Sequence, residues 1–189
     1  MAGPVALGAV VISPGVGSAP KGLRDSKLLT AKSRSDLLPA IYNWVLDYSV
    51  GFASAAEIDQ FGIVGAMRLA GMRSLDQLSL RPEMILLDGS HDYISGARAN
   101  DAETLFETDE MKQLPPVITK VKADMSCAGV AAASIVAKCS RDAFMVQIAS
   151  QFPGYSFDRN KGYSSPDHIV GLRTLGLTSE HRQSWKMPV

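Results

Sequence analysis

Two aspartates stand where the sequence predicts strands to end, and they are the residues best suited to metal chemistry. Asp88 follows four apolar residues and precedes a glycine, so its carboxylate is expected at the carboxyl end of a buried strand. Asp124 closes an alternating segment in which Lys120 and Lys122 are predicted to share its face. Carboxylate oxygens are hard ligands for Mg²⁺, and nearby ammonium groups suit phosphates. Together the two aspartates predict a metal site that acts on a phosphate-bearing substrate.

Each of these acidic residues also has a structural interpretation. Asp88 could form an ordinary Asp-Gly turn, and Asp124 could belong to a charged, exposed strand edge. Two carboxylates are sparse, because metal-assisted phosphodiester cleavage commonly uses more of them. Asp142 follows Arg141 in a predicted helix, where it could ligate a metal or form an ion pair with that arginine.

A second group of residues could contact sugar and phosphate. The loop 160–166 carries Lys161 and Tyr163 just before a predicted helix start. The Tyr163 ring could stack on a sugar or base, or it could cover the edge of the core. Ser26 and Lys27 offer a hydroxyl and a cation near another predicted helix start, which suits a phosphate contact.

Composition limits the possible classes of protein. The chain has 189 residues, 46% of them hydrophobic, which suits one domain and excludes two full catalytic domains. Its formal net charge is zero, yet residues 88–110 carry one basic and seven acidic residues and residues 111–189 carry ten and five. The basic C-terminal part suits a phosphate-bearing partner or is simply a solvated surface. The spacing of histidines and cysteines shows no zinc pattern, and no Walker-type loop or GxSxG occurs.

An α/β domain with one core must position these residues. Strands are predicted at 5–12 and 84–87, both buried on both faces, and at 49–53 and 117–123. Helices are predicted at 27–48 with a kink at Pro39, at 63–78 after a capping box at 54–57, at 127–152, and from 166 to a stop at Gly176. Residues 89–116 are predicted to be a surface excursion or partly disordered. The two cysteines are expected to be reduced, and neither a secretory signal nor a membrane span is predicted.

Eight segments in register resemble bacterial ribonuclease HII over essentially the whole chain. They are AGPV with the valine strand, GLRDSKLL, SVGFASAAEID, LLDG, VKAD, AAASIVAKCSRD, FPGYSFDRNKGYSSPDH and HRQSW. The resemblance implies an RNase H-like mixed β-sheet flanked by helices, with a core over roughly 1–152 and a C-terminal helical, substrate-binding extension over 153–189. It further implies a cytoplasmic, monomeric endonuclease, dependent on Mn²⁺ or Mg²⁺. Its substrates would be RNA/DNA hybrids and duplex DNA with single embedded ribonucleotides, cleaved to 3′-hydroxyl and 5′-phosphate ends.

The same resemblance assigns roles to individual residues. Asp88 and Asp124 match two of the family's four catalytic, metal-binding carboxylates. Tyr163 matches the tyrosine that packs on the sugar at the RNA–DNA junction. The substrate-binding residues implied by the resemblance are Tyr163, Lys161, Ser26, Lys27 and Lys122.

The chain departs from the family pattern at its start. The family carries an Asp-Glu pair and a Gly-Arg-Gly loop on a first strand before the AGPV segment, whereas here Met1 stands directly before AGPV. We therefore expect a central strand to be missing, with unpaired strand edges and an apolar trough in its place. Impaired cleavage is the expected consequence; the alternative is a non-catalytic, nucleic-acid-binding remnant of the family.

Overall fold

Four strands and six helices make up the part of the chain that the structure, a computed structural model, describes: residues 1–95 and 114–187. The strands are β1 (Val5–Val11), β2 (Asp47–Ala53), β3 (Ile85–Asp88) and β4 (Val117–Lys120). The helices are α1 (Ala31–Trp44), α2 (Ala55–Asp76), α3 (Ala123–Ser126), α4 (Ala128–Ile148), α5 (Phe157–Asn160) and α6 (Pro166–Leu175), with 3₁₀ turns at Ser26–Leu28 and Ala149–Gln151.

The strands form two separate pairs. β1 and β2 are antiparallel, with Val5 opposite Ala53, and β3 and β4 are parallel, with Asp88 opposite Lys120. Among the described residues, no strand pairs with the second edge of β1 or with the second edge of β3.

An apolar cleft of about 770 Å³ lies between these two open edges. Residues 6–14 and 81–88 line two of its sides, and small residues of α2 and α4, such as Gly71 and Ala133, line the others. Such a cleft has the character of the trough that the sequence predicts beside unpaired strand edges. The cleft also explains why β1 and most of β3 are half-buried, although these strands were expected to be buried on both faces.

Helices pack closely on the β1–β2 pair because small side chains lie at the contact between helix and strand. Ala132, Ile135 and Val136 of α4 pack with Ile41 and Val45 in one buried cluster. β2 packs on α2 in a second cluster, and the C-terminal residues 153–175 pack on the end of α4 in a third. The small-residue stretch at the start of α4 therefore serves a close helix–sheet contact.

The predicted strand 117–123 is wrong beyond Lys120. Lys122 has a left-handed backbone, with φ of 56°, and α3 begins at Ala123. Asp124 therefore lies in the first turn of a short helix, and it does not share a strand face with Lys120 and Lys122. The chain turns here because the amide of Ala123 reaches back to the Asp88 carboxylate, a contact that alternation along one strand cannot reveal.

Other predicted elements are confirmed with shifted ends. α1 ends at Trp44 and continues through Pro39 as one helix, while β2 already begins at Asp47. The capping box holds, since the Ser54 hydroxyl accepts from the Glu57 amide (3.2 Å) and the Glu57 carboxylate accepts from the Ser54 amide (2.8 Å). That box starts α2 at Ala55, earlier than predicted, with a break at Gly62.

The remaining sequence predictions have three outcomes. The long helix α4 and the cap of α6 by Ser165 are confirmed, and both cysteines are free thiols. None of the helices that the structure describes is long and apolar enough to cross a membrane. The predicted excursion 89–116 falls largely on residues 96–113, which lie outside the described residues.

The contact between β2 and α2 yields a test of the packing. A Cβ on Gly51 would lie 1.9 Å from the Ala70 carbonyl oxygen, whereas a Cβ on Gly15 would meet nothing within 4 Å. We expect Gly51→Ala to lower the free energy of unfolding by about 1–3 kcal/mol or more, because the helix must move away. Gly15→Ala is the control, and equal urea unfolding midpoints for the two variants would contradict the packing.

Candidate functional site

The two predicted aspartates lie near each other in the fold, and both line the cleft. The Asp88 carboxylate accepts a hydrogen bond from the Ala123 amide (2.8 Å), at the start of α3. Asp124 is the next residue, and only 7% of its surface is exposed. Both residues line the cleft, so the fold brings into one cleft two acidic residues that are 36 positions apart in the sequence.

Lys27 lies beside this pair. Its Nζ is 3.6 Å from Oδ2 of Asp124, and 78% of its side chain is exposed. The 3₁₀ turn that carries it is held on both sides: the Asp25 carboxylate accepts from the Lys27 amide, and the Ser26 amide donates to the Ser134 hydroxyl of α4. Ser26 itself is buried, whereas the cationic side chain of Lys27 reaches solvent.

Tyr93 lines the same cleft, and the sequence alone did not single it out. Burial, followed by the negative charges of Asp88 and Asp92, raises the pKa of its phenol to about 12. Tyr93 therefore remains a neutral hydrogen-bond donor at the edge of the carboxylate pair. Tyr93 belongs to a polar, turn-rich segment, and nothing in that segment of the sequence indicated that it lies beside the aspartates.

Tyr163 stands further along α4. Its side chain is 54% exposed, and its ring lies near Lys138 and Arg141, both on α4. Lys138 follows Ser134, the residue that holds the Lys27 turn, by one helical turn. One helix thus carries the supports of both predicted substrate-contacting segments. Lys138 and Arg141 were missed because helical charges usually indicate only a solvated face.

The other candidate residues make different kinds of contact. Lys161 has a left-handed backbone, and its ammonium group contacts the Asp158 carbonyl. Lys122 is exposed at the turn before α3, so its position permits a contact with a backbone phosphate. Asp142 lies 2.6 Å from the Lys138 ammonium group and 3.6 Å from the Arg34 and Arg141 guanidinium groups, which favours the structural interpretation of this aspartate.

A buried histidine pair supports the Tyr163 loop. Nε2 of His168 lies 2.9 Å from Nε2 of His181, and Nδ1 of His168 lies 2.8 Å from the Tyr163 carbonyl oxygen. The Thr178 amide donates to Nδ1 of His181, so the proton of a neutral His181 sits on Nε2 and points to His168. The proton of His168 then sits on Nδ1 and is donated to Tyr163. Each hydrogen bond in this series has one donor and one acceptor only when both rings are neutral.

The donor set at Asp88 and Asp124 fits a hard divalent cation. Carboxylate oxygens are the ligands that Mg²⁺ and Mn²⁺ prefer. Among the described residues, no group of three or more His, Cys, Asp or Glu side chains is close enough to hold a metal. The pair would therefore supply two of the ligands, and others must come from elsewhere.

Comparisons with known proteins identify the family. The family model for Ribonuclease HII matches residues 1–188. The chain is 40% identical to Ribonuclease HII of Streptomyces avermitilis, over 97% of this chain and 71% of the relative. It is also 40% identical to Ribonuclease HII of Roseobacter denitrificans, over 98% of this chain and 84% of the relative. The chain belongs to the ribonuclease HII family.

Solved structures show the same fold. Ribonuclease H2 from Pyrococcus horikoshii matches with a TM-score of 0.70 at 22% identity, covering 98% of this chain and 88% of that one. A PCNA:RNase HII complex from Archaeoglobus fulgidus matches with a TM-score of 0.65 at 25% identity, covering 97% and 87%. The RNase H-like α/β fold expected from the sequence is therefore confirmed. Ribonuclease HII enzymes are divalent-metal-dependent hydrolases of RNA in RNA/DNA hybrids, so the fit of the aspartate pair to such a cation agrees with the family.

The histidine pair yields a prediction for the pH dependence of stability. Burial lowers the pKa of both rings, and that of His181 falls to about 4, with the neighbouring His168 as a second cause. A histidine in the unfolded chain has a pKa near 6.5, so on acidification the unfolded state binds a proton before the folded state does. The free energy of unfolding therefore falls as the pH drops from about 6.5 towards 4. We expect His181 to account for roughly 3 kcal/mol of that loss.

Chemical unfolding at several pH values checks this effect. His181→Gln keeps a donor towards His168 but does not titrate, so its stability should be lower at neutral pH and depend less on pH. His91 is exposed, and His91→Gln is the control. A pH dependence that is identical in His181→Gln and the unmodified protein would contradict the assignment.

Proposed function

We propose that this ribonuclease HII chain contributes Asp88 and Asp124 as metal ligands for endonucleolytic cleavage of RNA/DNA hybrids and of single ribonucleotides embedded in duplex DNA. The observation that carries the proposal is the hydrogen bond from the Ala123 amide to the Asp88 carboxylate, which brings the next residue, Asp124, close to Asp88, with Lys27 3.6 Å from Asp124. The products would have 3′-hydroxyl and 5′-phosphate ends. Mn²⁺ or Mg²⁺ is the proposed cation, and the protein would act as a cytoplasmic monomer.

The residues of the site have separate tasks. A bound divalent cation activates water and stabilises negative charge on a phosphate ester. Asp88 and Asp124 would hold it, and the Ala123 amide fixes the orientation of Asp88. Lys27, exposed beside Asp124, would meet a backbone phosphate. Such phosphate contacts are independent of base sequence, which suits a protein that acts wherever a ribonucleotide occurs.

Tyr163 would contact the sugar at the RNA–DNA junction, and Lys161, Lys122, Ser26 and Lys27 would bind the backbone. Tyr163 has the exposure that such a contact requires. Ser26 is buried, so its part would be to hold the turn from which Lys27 projects. These contacts would make up a surface for the duplex along one side of α4.

We further propose that the 189 residues cleave weakly by themselves. Two carboxylates are few for this chemistry, and the part of the chain described here offers no third acidic or histidine ligand nearby. The open edges of β1 and β3 would accept a strand that carries the Asp-Glu pair of the family. Such a strand would complete both the sheet and the ligand set.

Cleavage of a duplex with one embedded ribonucleotide, in the presence of Mn²⁺, tests this proposal. The 189-residue protein is compared with a version extended at its N-terminus by the family's Asp-Glu and Gly-Arg-Gly segment. We expect strong cleavage only from the extended version. Equally strong cleavage by the unextended protein would contradict the need for further carboxylates.

A non-catalytic nucleic-acid-binding protein is the second candidate. The exposed Tyr163 and the basic residues 111–189 favour it, since both would serve binding without chemistry. Binding of a hybrid duplex without cleavage, by the extended protein as well, would support this candidate over the nuclease.

Substitution of Asp124 tests the metal-ligand role. We expect Asp124→Asn to abolish cleavage in the extended protein while binding remains measurable, because a ligand is lost with little change of shape. Asp36→Asn is the control, since Asp36 is exposed on α1 and forms an ion pair with Lys32. Surviving activity in Asp124→Asn would show that Asp124 is not a ligand.

Substitution of Tyr163 tests the junction role. We expect Tyr163→Ala, in the extended protein, to reduce cleavage of a single embedded ribonucleotide more than cleavage of a long hybrid. The physical reason is that a single ribonucleotide offers one junction, so the lost packing of the ring on the sugar at that junction has the larger effect there. Equal losses on the two substrates would count against this role.

A further inference from the structure

Two cations on α4 face the ring of Tyr163. The Lys138 Nζ atom lies 4.9 Å from the ring centroid and 3.4 Å from the phenolic oxygen, and the guanidinium carbon of Arg141 lies 5.0 Å from the centroid. The two residues are three positions apart, so they project from one face of the helix. A cation within about 6 Å of a ring centroid is attracted by the electron density of the ring. The half-exposed ring is therefore held against α4.

Arg141 also fastens the backbone that carries this ring. It is buried, and its guanidinium group donates to the carbonyl oxygens of Lys161 (2.6 Å), Ala2 (2.9 Å) and Pro4 (3.4 Å). Lys161 has φ of 52°, a left-handed conformation that a residue with a side chain rarely adopts. The hydrogen bond from Arg141 thus stabilises an unfavourable turn two residues before Tyr163.

Asp142 orients both cations. Its Oδ1 accepts from the Lys138 ammonium group at 2.6 Å and lies 3.6 Å from a guanidinium nitrogen of Arg141. A planar guanidinium group can donate to several carbonyls at once, whereas an ammonium group is a compact point charge. Arg141 and Lys138 are therefore not interchangeable, and each makes a different contact with the Tyr163 segment.

We propose that Arg141 and Lys138 are positioning residues that fix Tyr163 for its contact with the sugar at an RNA–DNA junction. This inference rests on the proposed function, which assigns that contact to Tyr163. Both residues act through Tyr163, so their removal should matter only while the tyrosine is present.

Equilibrium binding of the 189-residue protein tests the inference. Fluorescence anisotropy in EDTA, which keeps the strands intact, gives its affinity for two duplexes of the same sequence, one with an RNA–DNA junction and one of DNA alone. The ratio of the two affinities is the junction preference. Tyr163→Ala should lower this preference about fivefold or more, because the apolar contact between the ring and the sugar is lost.

The variants separate positioning from a general structural effect. Arg141→Lys and Lys138→Met should lose most of the same preference, and Lys138→Arg should retain it because the cation remains. Lys32→Met, on the exposed face of α1, should also retain it. Arg141→Lys added to Tyr163→Ala should cause no further loss of the junction preference, as expected when one residue acts through the other.

Several outcomes would overturn the inference. A junction preference that is unchanged in both Arg141→Lys and Lys138→Met excludes positioning, and so does a full additive loss in the double variant. If Arg141→Lys does not fold, Lys138→Met decides, because Lys138 is partly exposed and its replacement leaves the buried arginine in place.

The junction preference of the unmodified protein distinguishes a failure of the proposed function from a failure of the inference. If it shows no junction preference, the proposed role of Tyr163 fails, and nitration of Tyr163 by tetranitromethane then decides the positioning. Faster nitration in Lys138→Met and Arg141→Lys than in the unmodified protein is expected, since the ring is released. Equal rates would overturn the inference by themselves.

Discussion

The close packing of α4 against β1 is the contact on which the rest of the site depends. A Cβ on Gly8 would lie 2.5 Å from the Ala133 carbonyl oxygen, so the strand and the helix backbone meet with almost no space between them. The small residues at the start of α4 allow this approach, and Ala132 and Ile135 are fully buried in the contact. The helix is thereby fixed relative to the strand, and it offers a rigid base for the groups it carries.

Three side chains of that helix hold other segments in place. Ser134 receives the amide of the turn that carries Lys27, Lys138 faces the Tyr163 ring, and Arg141 donates to the Lys161 carbonyl oxygen two residues before that tyrosine. The segments that they hold lie more than a hundred positions apart in the sequence. A shift of α4 would therefore disturb the Lys27 turn and the Tyr163 loop at once.

The cleft beside α4 is the other constraint on this ribonuclease HII chain. Two strand pairs present open edges to it. Strand edges inside a protein normally pair, because an unpaired buried backbone group loses its hydrogen bonds with water without replacement. The described residues thus form two separate strand pairs with open edges on this cleft, and Asp88 and Asp124 line the same cleft.

The sequence by itself determined the class of fold and the family, and it singled out Asp88 and Asp124 as candidate ligands. Hydrophobic runs located the strands, caps at Ser54 and Ser165 located helix starts, and the register of eight motifs indicated the family. These features are local or depend on order along the chain, so they can be read without coordinates.

Only the tertiary structure decided how the residues of the site meet. A period of two placed Asp124 on a strand face, but the Ala123 amide bonds to Asp88 and turns the chain into α3 instead. The raised pKa of Tyr93, the neutral histidine pair and the cations over Tyr163 likewise arise from groups distant in the sequence. Such contacts depend on burial and direction in three dimensions, and residue types and their spacing carry no record of either.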